Sequence, residues 1–272
     1  MHETTRTTTT WTLDQVPLAD IDLARTRDQE NLFYLVAAAS FVEIASDLYT
    51  DNLIRYFDGD NEIKAWLESR WRREEVRHGQ VLRAYVQHVW PEFDWQRAYS
   101  AFYADYSQRC TVDQFEASRS LEMVARCMIE TGTATLYQAL SELTAEPVLA
   151  GITTRIKADE IGHYKYFYHF FRLYNAKEAP GRLHILGAIK RRMTEARNDD
   201  IECALWHAYI VRQRHPDKAE FRVLRTQLGA LVRRYYPIPM AVKMLLKPLD
   251  LPVSLLRLLQ GPVARLATRL ML

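Results

Sequence analysis

Two short runs of the same pattern contain the residues best suited to chemistry. Glu75-Val76-Arg77-His78 and Glu160-Ile161-Gly162-His163 are the two Glu-x-x-His runs of the 272-residue chain. On an α-helix, residues three positions apart share a face, so each run directs a carboxylate and an imidazole to the same place. Carboxylate oxygen and imidazole nitrogen are ligands suited to iron or manganese. The two runs therefore predict a transition-metal site.

The positions of two further glutamates strengthen this prediction. Glu43 lies 32 residues before Glu75, and Glu130 lies 30 residues before Glu160. The midpoint of the first pair falls in the turn-forming sequence 58–61, and the midpoint of the second lies next to Pro147, a residue that often begins a helix. In an antiparallel helical hairpin, residues equidistant from the turn lie at the same height. Each hairpin would then place one lone Glu opposite one Glu-x-x-His run.

Ferritin-like di-iron bundles have this ligand arrangement, with a Glu from each of two helices and Glu-x-x-His from each of the other two. We therefore expect an all-α fold, a ferritin-like four-helix bundle with additional C-terminal helices. The expected cofactor is two iron ions, with a manganese–iron pair as the alternative. Glu116 and Glu122 compete with Glu130 as the third-helix ligand, and Glu130 is preferred because it matches Glu160 across the turn. The predicted metal ligands are Glu43, Glu75, His78, Glu130, Glu160 and His163.

Acidic residues directly precede the glutamate of each run. Asp159 is predicted to accept the second N–H of a ligating histidine, a common way of orienting such a ring. Glu74 lies about 100° round the helix from the glutamate that follows it. We expect Glu74 to face solvent, or to pair with Arg77 or with the far nitrogen of His78.

Several other residues have simpler interpretations. Glu43 could instead lie at the edge of its apolar stripe, paired with a surface arginine. The aromatic run 164–171 is interpreted as core packing, with a redox-active Tyr164 or Tyr166 as a minor alternative. His207 and His215 have no carboxylate at ligand spacing, so we interpret them as structural or surface residues.

Composition favours long helices. Nine glycines are about half the usual share of ~7%. Cys110, Cys127 and Cys203 form no metal or disulfide pattern, which is typical of a reducing cytosol. The first ten residues are polar and contain no apolar segment of a signal peptide. We therefore expect a cytoplasmic protein.

The chain divides into three predicted parts: 1–27 is an irregular lead-in, 28–178 is the bundle, and 179–272 is a basic helical extension with an amphipathic tail. Residues 1–12 are expected to be disordered. The predicted bundle helices are 28–57, 61–90, 113–145 with Asp113 as N-cap, and 147–175. The segment 91–111 is the expected crossover, and two helices, 183–215 and 217–236, are expected in the extension.

Charge is distributed unevenly along the chain. Residues 181–272 carry seventeen Lys/Arg and seven Asp/Glu, a balance of +10, so the remainder carries −8 of the net +2. This imbalance suggests an acidic partner, namely a carrier protein, an electron donor or anionic lipid, unless it is only a solvated helical face. In the Leu-rich tail 240–272, the polar positions after Leu251 recur every three or four residues. Such a helix predicts either peripheral membrane contact or packing against the bundle or a dimer mate. No nucleic-acid signature is present.

The motifs together resemble one family. The segment from Trp71 to Gly79 resembles the Trp-x-x-Glu-Glu-x-Arg-His-Gly segment of soluble acyl-carrier-protein desaturases. The segment 158–163 is similar to their second metal motif, 130–133 to their Glu-x-x-Thr on the third bundle helix, and 42–49 more loosely to their first-helix segment. Gly162 and Tyr164 stand where the family commonly has an Arg and an acid. The resemblance covers roughly 33–171.

The resemblance implies an O2-dependent di-iron oxidoreductase that desaturates or hydroxylates a fatty acyl chain carried as a thioester. It implies that Thr133 lies on the oxygen-binding side with a catalytic role, and that Trp71 and Arg77 lie next to the ligands with Asp159. The implied partners are acyl carrier protein or another acyl thioester, an electron donor such as ferredoxin, and a second copy of the chain in a homodimer.

Three alternatives remain open. One is a di-iron hydroxylase or N-oxygenase acting on another small molecule. A second is a ferritin-like iron-handling protein without oxygenase activity. The third is a membrane-peripheral binding protein in which the metal site is only structural.

Overall fold

The computed structural model describes residues 11–111, 115–195 and 200–271, without the side chains of 194, 195, 270 and 271. Within these ranges every regular element is helical, which confirms the all-α prediction for the described part. The helices are α1 (Leu23–Thr26), α2 (Glu30–Tyr56), α3 (Asn61–Trp66), α4 (Arg72–Val89), α5 (Trp95–Ser107), α6 (Arg119–Leu143), α7 (Pro147–Glu178), α8 (Arg182–Glu195), α9 (Asp200–Arg212), α10 (Lys218–Tyr235), α11 (Ile238–Leu246) and α12 (Val253–Met271).

The lead-in is ordered from Trp11 onward. It forms two short 3-10 turns, Leu13–Gln15 and Leu18–Asp20, followed by the single turn of α1. Trp11 is buried. The predicted disorder of 1–12 is therefore wrong at its C-terminal end, because Trp11 has an apolar site to fill, while residues 1–10 lie outside the described part.

The first hairpin consists of α2 and α4. The chain turns at Gly59, whose φ of +87° is accessible to glycine at little cost, and Asp60 then caps α3 by accepting from the backbone N–H of Glu62 and Ile63. Trp90 Nε1 donates to the carbonyl of Arg27 at 3.0 Å, so the end of α4 lies beside the chain that leads into α2. The two helices are antiparallel, and the predicted helices 28–57 and 61–90 are confirmed in outline.

A five-residue π-helical segment, Leu67–Trp71, joins α3 to α4. Trp66 and Trp71 are five positions apart and would diverge on a regular α-helix, but the wider π turn brings them to one face. Both indole rings pack edge-on against Phe167 of α7, with ring centroids 5.0 and 5.9 Å away. This segment sets the orientation of the helix just before the first Glu-x-x-His run.

The second hairpin consists of α6 and α7. Ser118 caps α6 by accepting from the backbone N–H of Leu121, so the predicted helix start at 113 is wrong, although Asp113 itself lies outside the described residues. The Glu122 carboxylate accepts the backbone N–H of Glu116 at 2.8 Å, which turns the chain back before the helix begins. As predicted, α7 begins at Pro147, with Glu146 as its N-cap.

The extension forms more helices than expected. Gly181, with a φ of +82°, follows the end of α7. The predicted helix 183–215 is described as two helices, α8 and α9, and residues 196–199 between them lie outside the described part. α8 packs on α6, whereas α9 packs on α2 and α5.

Two apolar clusters fill the interior. One contains Tyr85, Trp90 and Tyr137 together with the N-terminal half of α2, and the other contains Trp66, Trp71 and Phe167. The glutamates and histidines of the two Glu-x-x-His runs belong to neither cluster. They lie in the part of the two hairpins between the two apolar clusters.

One described helix, α2, is long and apolar enough to cross a membrane by those two criteria alone. In the structure 61% of its apolar window is buried inside the protein. This burial is what a core helix requires.

Candidate metal centre

The two hairpins bring all six predicted ligands together. Glu43 comes from α2, Glu75 and His78 from α4, Glu130 from α6, and Glu160 and His163 from α7. Every one of them is at least nine-tenths buried. The helical spacing and the two turns thus bring the six side chains together as the sequence predicted. The alternative position for Glu43 at the edge of its stripe is excluded by its burial.

The six side chains form two groups that share two members. One group is Glu43, Glu75, His78 and Glu160, and the other is Glu75, Glu130, Glu160 and His163. Within each group, one ligand atom per residue lies within 4.8 Å of every other. Glu75 and Glu160 belong to both groups and would serve both if each group held an ion, whereas each histidine and each of the other two glutamates belongs to one group.

The imidazole Nδ1 atoms lie at the centre of these groups. His78 Nδ1 is 3.1 Å from Glu160 and 3.5 Å from Glu43. His163 Nδ1 is 3.0 Å from Glu75 and 3.5 Å from Glu130. Neighbouring ligands of one ion, with bonds of about 2.1 Å, are about 3 Å or slightly more apart. The spacing therefore fits ligands gathered round a common ion.

Each of the six residues has one buried atom without a hydrogen-bond partner. These atoms are Glu43 Oε2, Glu75 Oε1, His78 Nδ1, Glu130 Oε2, Glu160 Oε1 and His163 Nδ1. Buried polar atoms in proteins are rarely left unpaired, because each costs about 1–3 kcal/mol. One unpaired atom per ligand, all in one place, is the pattern that a bound metal would satisfy.

The other nitrogen of each histidine is held by a carboxylate from the opposite hairpin. His78 Nε2 lies 3.1 Å from Asp159, and His163 Nε2 lies 2.8 Å from Glu74. A carboxylate only accepts hydrogen bonds, so Nε2 carries a proton, and Nδ1 offers its lone pair to a cation once it has lost its own proton. This is the usual outer support of a ligating histidine. Asp159 thus has the role that the sequence predicted for it.

The Asp159 carboxylate also binds two further donors. Arg77 Nη2 donates at 2.9 Å and Trp11 Nε1 at 2.8 Å. The guanidinium of Arg77 lies 4.7 Å above the ring of Trp11, a cation–π contact. Trp11 itself lies parallel to the His78 ring, with centroids 6.1 Å apart. Sequence reasoning placed Arg77 near the ligands but missed Trp11, which no spacing rule connects to them.

Glu74 was also misassigned from the sequence. The expected solvent-facing position and the expected pairing with His78 are wrong, because Glu74 is buried and holds His163. The expected pairing with Arg77 is present as a long ion pair of 3.9 Å, and Arg70 Nε lies closer, at 3.3 Å. The signal that could have found Glu74 is the internal repetition of the motifs: Glu74 precedes its run as Asp159 precedes the other.

Two neighbours on the helices contact the ligands directly. Trp71 Nε1 donates to Glu130 Oε1 at 3.2 Å, and the Thr133 hydroxyl donates to Glu160 Oε2 at 2.7 Å. Both residues were singled out in the sequence. Tyr137, one turn beyond Thr133, was not; its buried hydroxyl donates to Glu43. Its spacing of seven from Glu130 is the helical signal that could have found it.

Other candidates lie elsewhere. Glu122 is fully buried but pairs with Arg126 at 2.8 Å, outside both ligand groups. The Tyr164 hydroxyl donates to the carbonyl of Met244, and Tyr166 stacks on Trp66. Neither tyrosine contacts a predicted ligand through its hydroxyl among the described hydrogen bonds.

Burial and crowded charge shift the pKa values of the cluster. Burial, followed by the charge of Glu160, raises the pKa of Glu75 to about 8, and burial raises that of Glu130 well above its usual range. For His78 and His163, burial lowers the pKa, but the surrounding carboxylates outweigh that effect and raise the pKa of each well above the usual value. Protons therefore balance the carboxylates when no cation is present.

The charge count of the centre points to two ions. Four ionised glutamates carry −4, and two neutral imidazoles carry none, so two divalent cations make the buried cluster neutral. An unbalanced charge in such an interior would be expensive. The donor set, the unpaired atoms and the charge thus all fit a pair of divalent metal ions.

No protein-family model matches this chain, and a search of curated proteins returns no match. The chemistry of the centre is therefore inferred from its side chains and their arrangement.

Proposed function

We propose that the chain is an O2-dependent di-iron oxidoreductase with a ferritin-like four-helix bundle. The observation that carries the proposal is the convergence of six buried ligand atoms, each without a hydrogen-bond partner, from two antiparallel hairpins. A Glu from two helices and Glu-x-x-His from the other two is the ligand set of ferritin-like di-iron proteins.

The choice of iron follows from the donor atoms. Four carboxylates and two imidazoles favour iron or manganese over calcium and magnesium, which prefer oxygen ligands alone, and over zinc in its sulfur-rich structural sites. A manganese–iron pair fits the same donors.

When bound, a di-iron pair supplies the electrons and oxidising power needed to attack an unactivated C–H bond, which side chains cannot supply. This chain's own residues then have definable roles. Glu75 and Glu160 are shared between the two metal positions, whereas Glu43 and Glu130 each belong to one. The Thr133 hydroxyl, which donates to Glu160, is placed to hold a proton at that carboxylate.

We propose a fatty acyl chain, carried as a thioester on acyl carrier protein, as the substrate. The support is the similarity of the segment from Trp71 to Gly79 to the soluble acyl-carrier-protein desaturases. Desaturation would remove two hydrogens from the chain, and these, together with two donor electrons and two protons, would reduce O2 to two molecules of water. Hydroxylation of the same chain, or hydroxylation or N-oxygenation of another small molecule, uses the same centre.

The basic extension suits acidic partners of this chemistry. Residues 181–272 carry a net +10, which would steer an acidic carrier protein or an acidic electron donor such as ferredoxin towards this side of the molecule. A homodimer and a peripheral membrane contact through 240–272 belong to the same proposal.

The first test is the metal content of protein expressed with iron supplementation, measured together with its optical absorption in air. We expect about two irons per chain and a di-ferric charge-transfer absorption. Absence of any bound transition metal would overturn the metal assignment.

The second test assigns the reaction. Chemically reduced protein is mixed with oxygen and a fatty acyl thioester of acyl carrier protein. The mass of the acyl chain is then measured by mass spectrometry. Loss of two hydrogens supports desaturation, and gain of one oxygen supports hydroxylation. An unchanged chain, combined with assembly of the protein into a large shell on sizing, would support iron storage instead.

A further inference from the structure

A second group of ligand-type side chains lies where α5 packs against α9. Asp105, Cys203 and His207 have ligand atoms that all lie within 4.8 Å of one another. Cys203 and His207 are one turn apart on α9 and are buried, whereas the Asp105 side chain on α5 is 49% exposed. No residue of the candidate metal centre belongs to this group.

The environment of His207 indicates that the group is made for a ligand. Its Nε2 lies 3.0 Å from Asp105 Oδ2, and its side chain is only 9% exposed. Its Nδ1 is buried and has no hydrogen-bond partner. Since Asp105 can only accept, the proton lies on Nε2 and the Nδ1 lone pair is left unpaired, which costs about 1–3 kcal/mol unless a ligand binds it.

We propose that Cys203 Sγ and His207 Nδ1 bind a Zn²⁺ ion, with Asp105 as the acceptor that holds the Nε2–H of the imidazole. Thiolate, imidazole and carboxylate are the donors that zinc uses, and the thiolate favours zinc over the iron of the other centre. A cysteine thiolate and an aspartate balance the charge of one Zn²⁺. Water completes the coordination on the exposed side of Asp105, as in open zinc sites.

The spacing is compatible with one ion. Ligands round a tetrahedral Zn²⁺ with bonds of about 2.0–2.3 Å are roughly 3.3–3.8 Å apart. Groups already within 4.8 Å reach that separation by small side-chain rotations. The contact between Asp105 and His207 would then link the crossover helix α5 to the metal site on the extension helix α9.

Cobalt(II) provides a specific probe, because a thiolate ligand gives Co²⁺ a charge-transfer absorption in the near ultraviolet. The six ligands of the Glu/His centre contain no sulfur, so this absorption reports only the proposed site. We expect it to saturate at one Co²⁺ per chain and to disappear when Zn²⁺ is added in excess.

Cysteine variants provide the matched controls. Cys203→Ser should abolish the absorption, whereas a double variant, Cys110→Ser with Cys127→Ser, should retain it, although all three cysteines are buried. Asp105→Asn should weaken Co²⁺ binding about 10- to 100-fold. Should Cys203→Ser fail to fold, His207→Gln serves as the second variant and should lose most of the absorption.

Two results would overturn the proposal. One is the absence of the thiolate absorption in wild-type protein saturated with Co²⁺. The other is its persistence in Cys203→Ser. Either result can occur with two irons bound in the other centre, so the zinc site and the proposed function fail independently.

Discussion

At the residue scale, the centre is defined by carboxylates in unequal positions. Glu160 and Glu75 belong to both ligand groups, whereas Glu130 belongs to one. Glu122, eight residues before Glu130 on the same helix, is equally buried but pairs with Arg126. Burial alone thus does not make a ligand; closeness to the other ligand-type side chains separates Glu130 from Glu122.

We expect substitution of a glutamate that belongs to both ligand groups to lower the metal content more than substitution of a glutamate that belongs to one. Glu160→Ala should abolish iron loading because both groups lose a ligand. Glu130→Gln should lower the iron content by roughly half, since the group around His78 is intact. Metal analysis of the purified variants measures both effects.

Glu122→Gln is the matched control. It should retain the full metal content but lower the free energy of unfolding by about 3–5 kcal/mol, because it leaves the Arg126 guanidinium buried without its counter-charge. Loss of iron in Glu122→Gln without loss of stability would contradict the assignment of Glu130 as the third-helix ligand.

The carboxylates behind the two histidines should act on metal affinity. Asp159→Asn and Glu74→Gln each remove the charge that holds an imidazole, and each should weaken metal binding about 10- to 100-fold. Competition with a chelator measures the affinity. Equal affinity in Glu74→Gln and wild type would contradict the supporting role of Glu74.

Metal binding should release protons. Burial and the charge of Glu160 raise the pKa of Glu75 to about 8, and nearby carboxylates raise the pKa of His78 and His163 well above the usual value. These groups hold protons at pH 7 and must lose them to ligate a cation. The number of protons released on metal binding should therefore be larger at pH 7 than at a pH above the raised pKa values. Calorimetric titration in two buffers of different ionisation enthalpy measures the number of protons released. Metal binding without proton release at pH 7 would contradict the prediction.

At the scale of the elements, the centre depends on how closely α4 approaches α2. A Cβ added at Gly79 would lie 2.3 Å from Ile44 Cγ1 and 2.7 Å from the Ile44 backbone nitrogen. Gly79 follows the metal-ligand candidate His78, so this close approach brings the first Glu-x-x-His run against Glu43. A larger residue would push the helices apart at the level of the ligands.

Gly79→Ala should therefore lower the free energy of unfolding by about 1–3 kcal/mol, despite the better helix propensity of alanine. Gly151→Ala on α7 is the control, because a Cβ there meets nothing within 4 Å and should stabilise by about 0.5–1 kcal/mol. Urea unfolding of the metal-free variants measures both. Equal free energies of unfolding for the two variants would show that α2 and α4 can move apart at Gly79 without loss of stability.

At the scale of the whole molecule, one side of the C-terminal helix remains open. On α12, Leu258 is 70% exposed and Leu266 is 57% exposed. Arg257, Arg265 and Arg269 are exposed on the same helix, and no acidic residue follows Asp250. Leucines flanked by arginines fit an anionic lipid surface, with each Arg contributing about 1 kcal/mol there.

We expect the protein to sediment with vesicles containing phosphatidylserine and to be released by high salt. The double variant Leu258→Glu with Leu266→Glu should not sediment. Leu183→Glu, which changes an exposed leucine on α8, is the control and should sediment as wild type does. Binding that is equal for neutral and anionic vesicles would exclude this electrostatic contact.

The sequence by itself determined the candidate ligands of the centre and the pairing of the helices. Glu75 and His78 share a face because of the helical period, and Glu43 lies opposite them because the turn at Gly59 is midway between them. These relations depend on spacing along one chain segment. Local physics is therefore enough to predict them.

Only the tertiary structure decided which residues support the ligands. Glu74 holds the histidine of the other hairpin, and Trp11 covers His78 from a segment expected to be disordered. Tyr137 donates to Glu43, and Asp105 lies beside Cys203 and His207. Each of these contacts joins segments that no short turn links, so it depends on how separate helices pack against one another, and no spacing in the sequence specifies that packing.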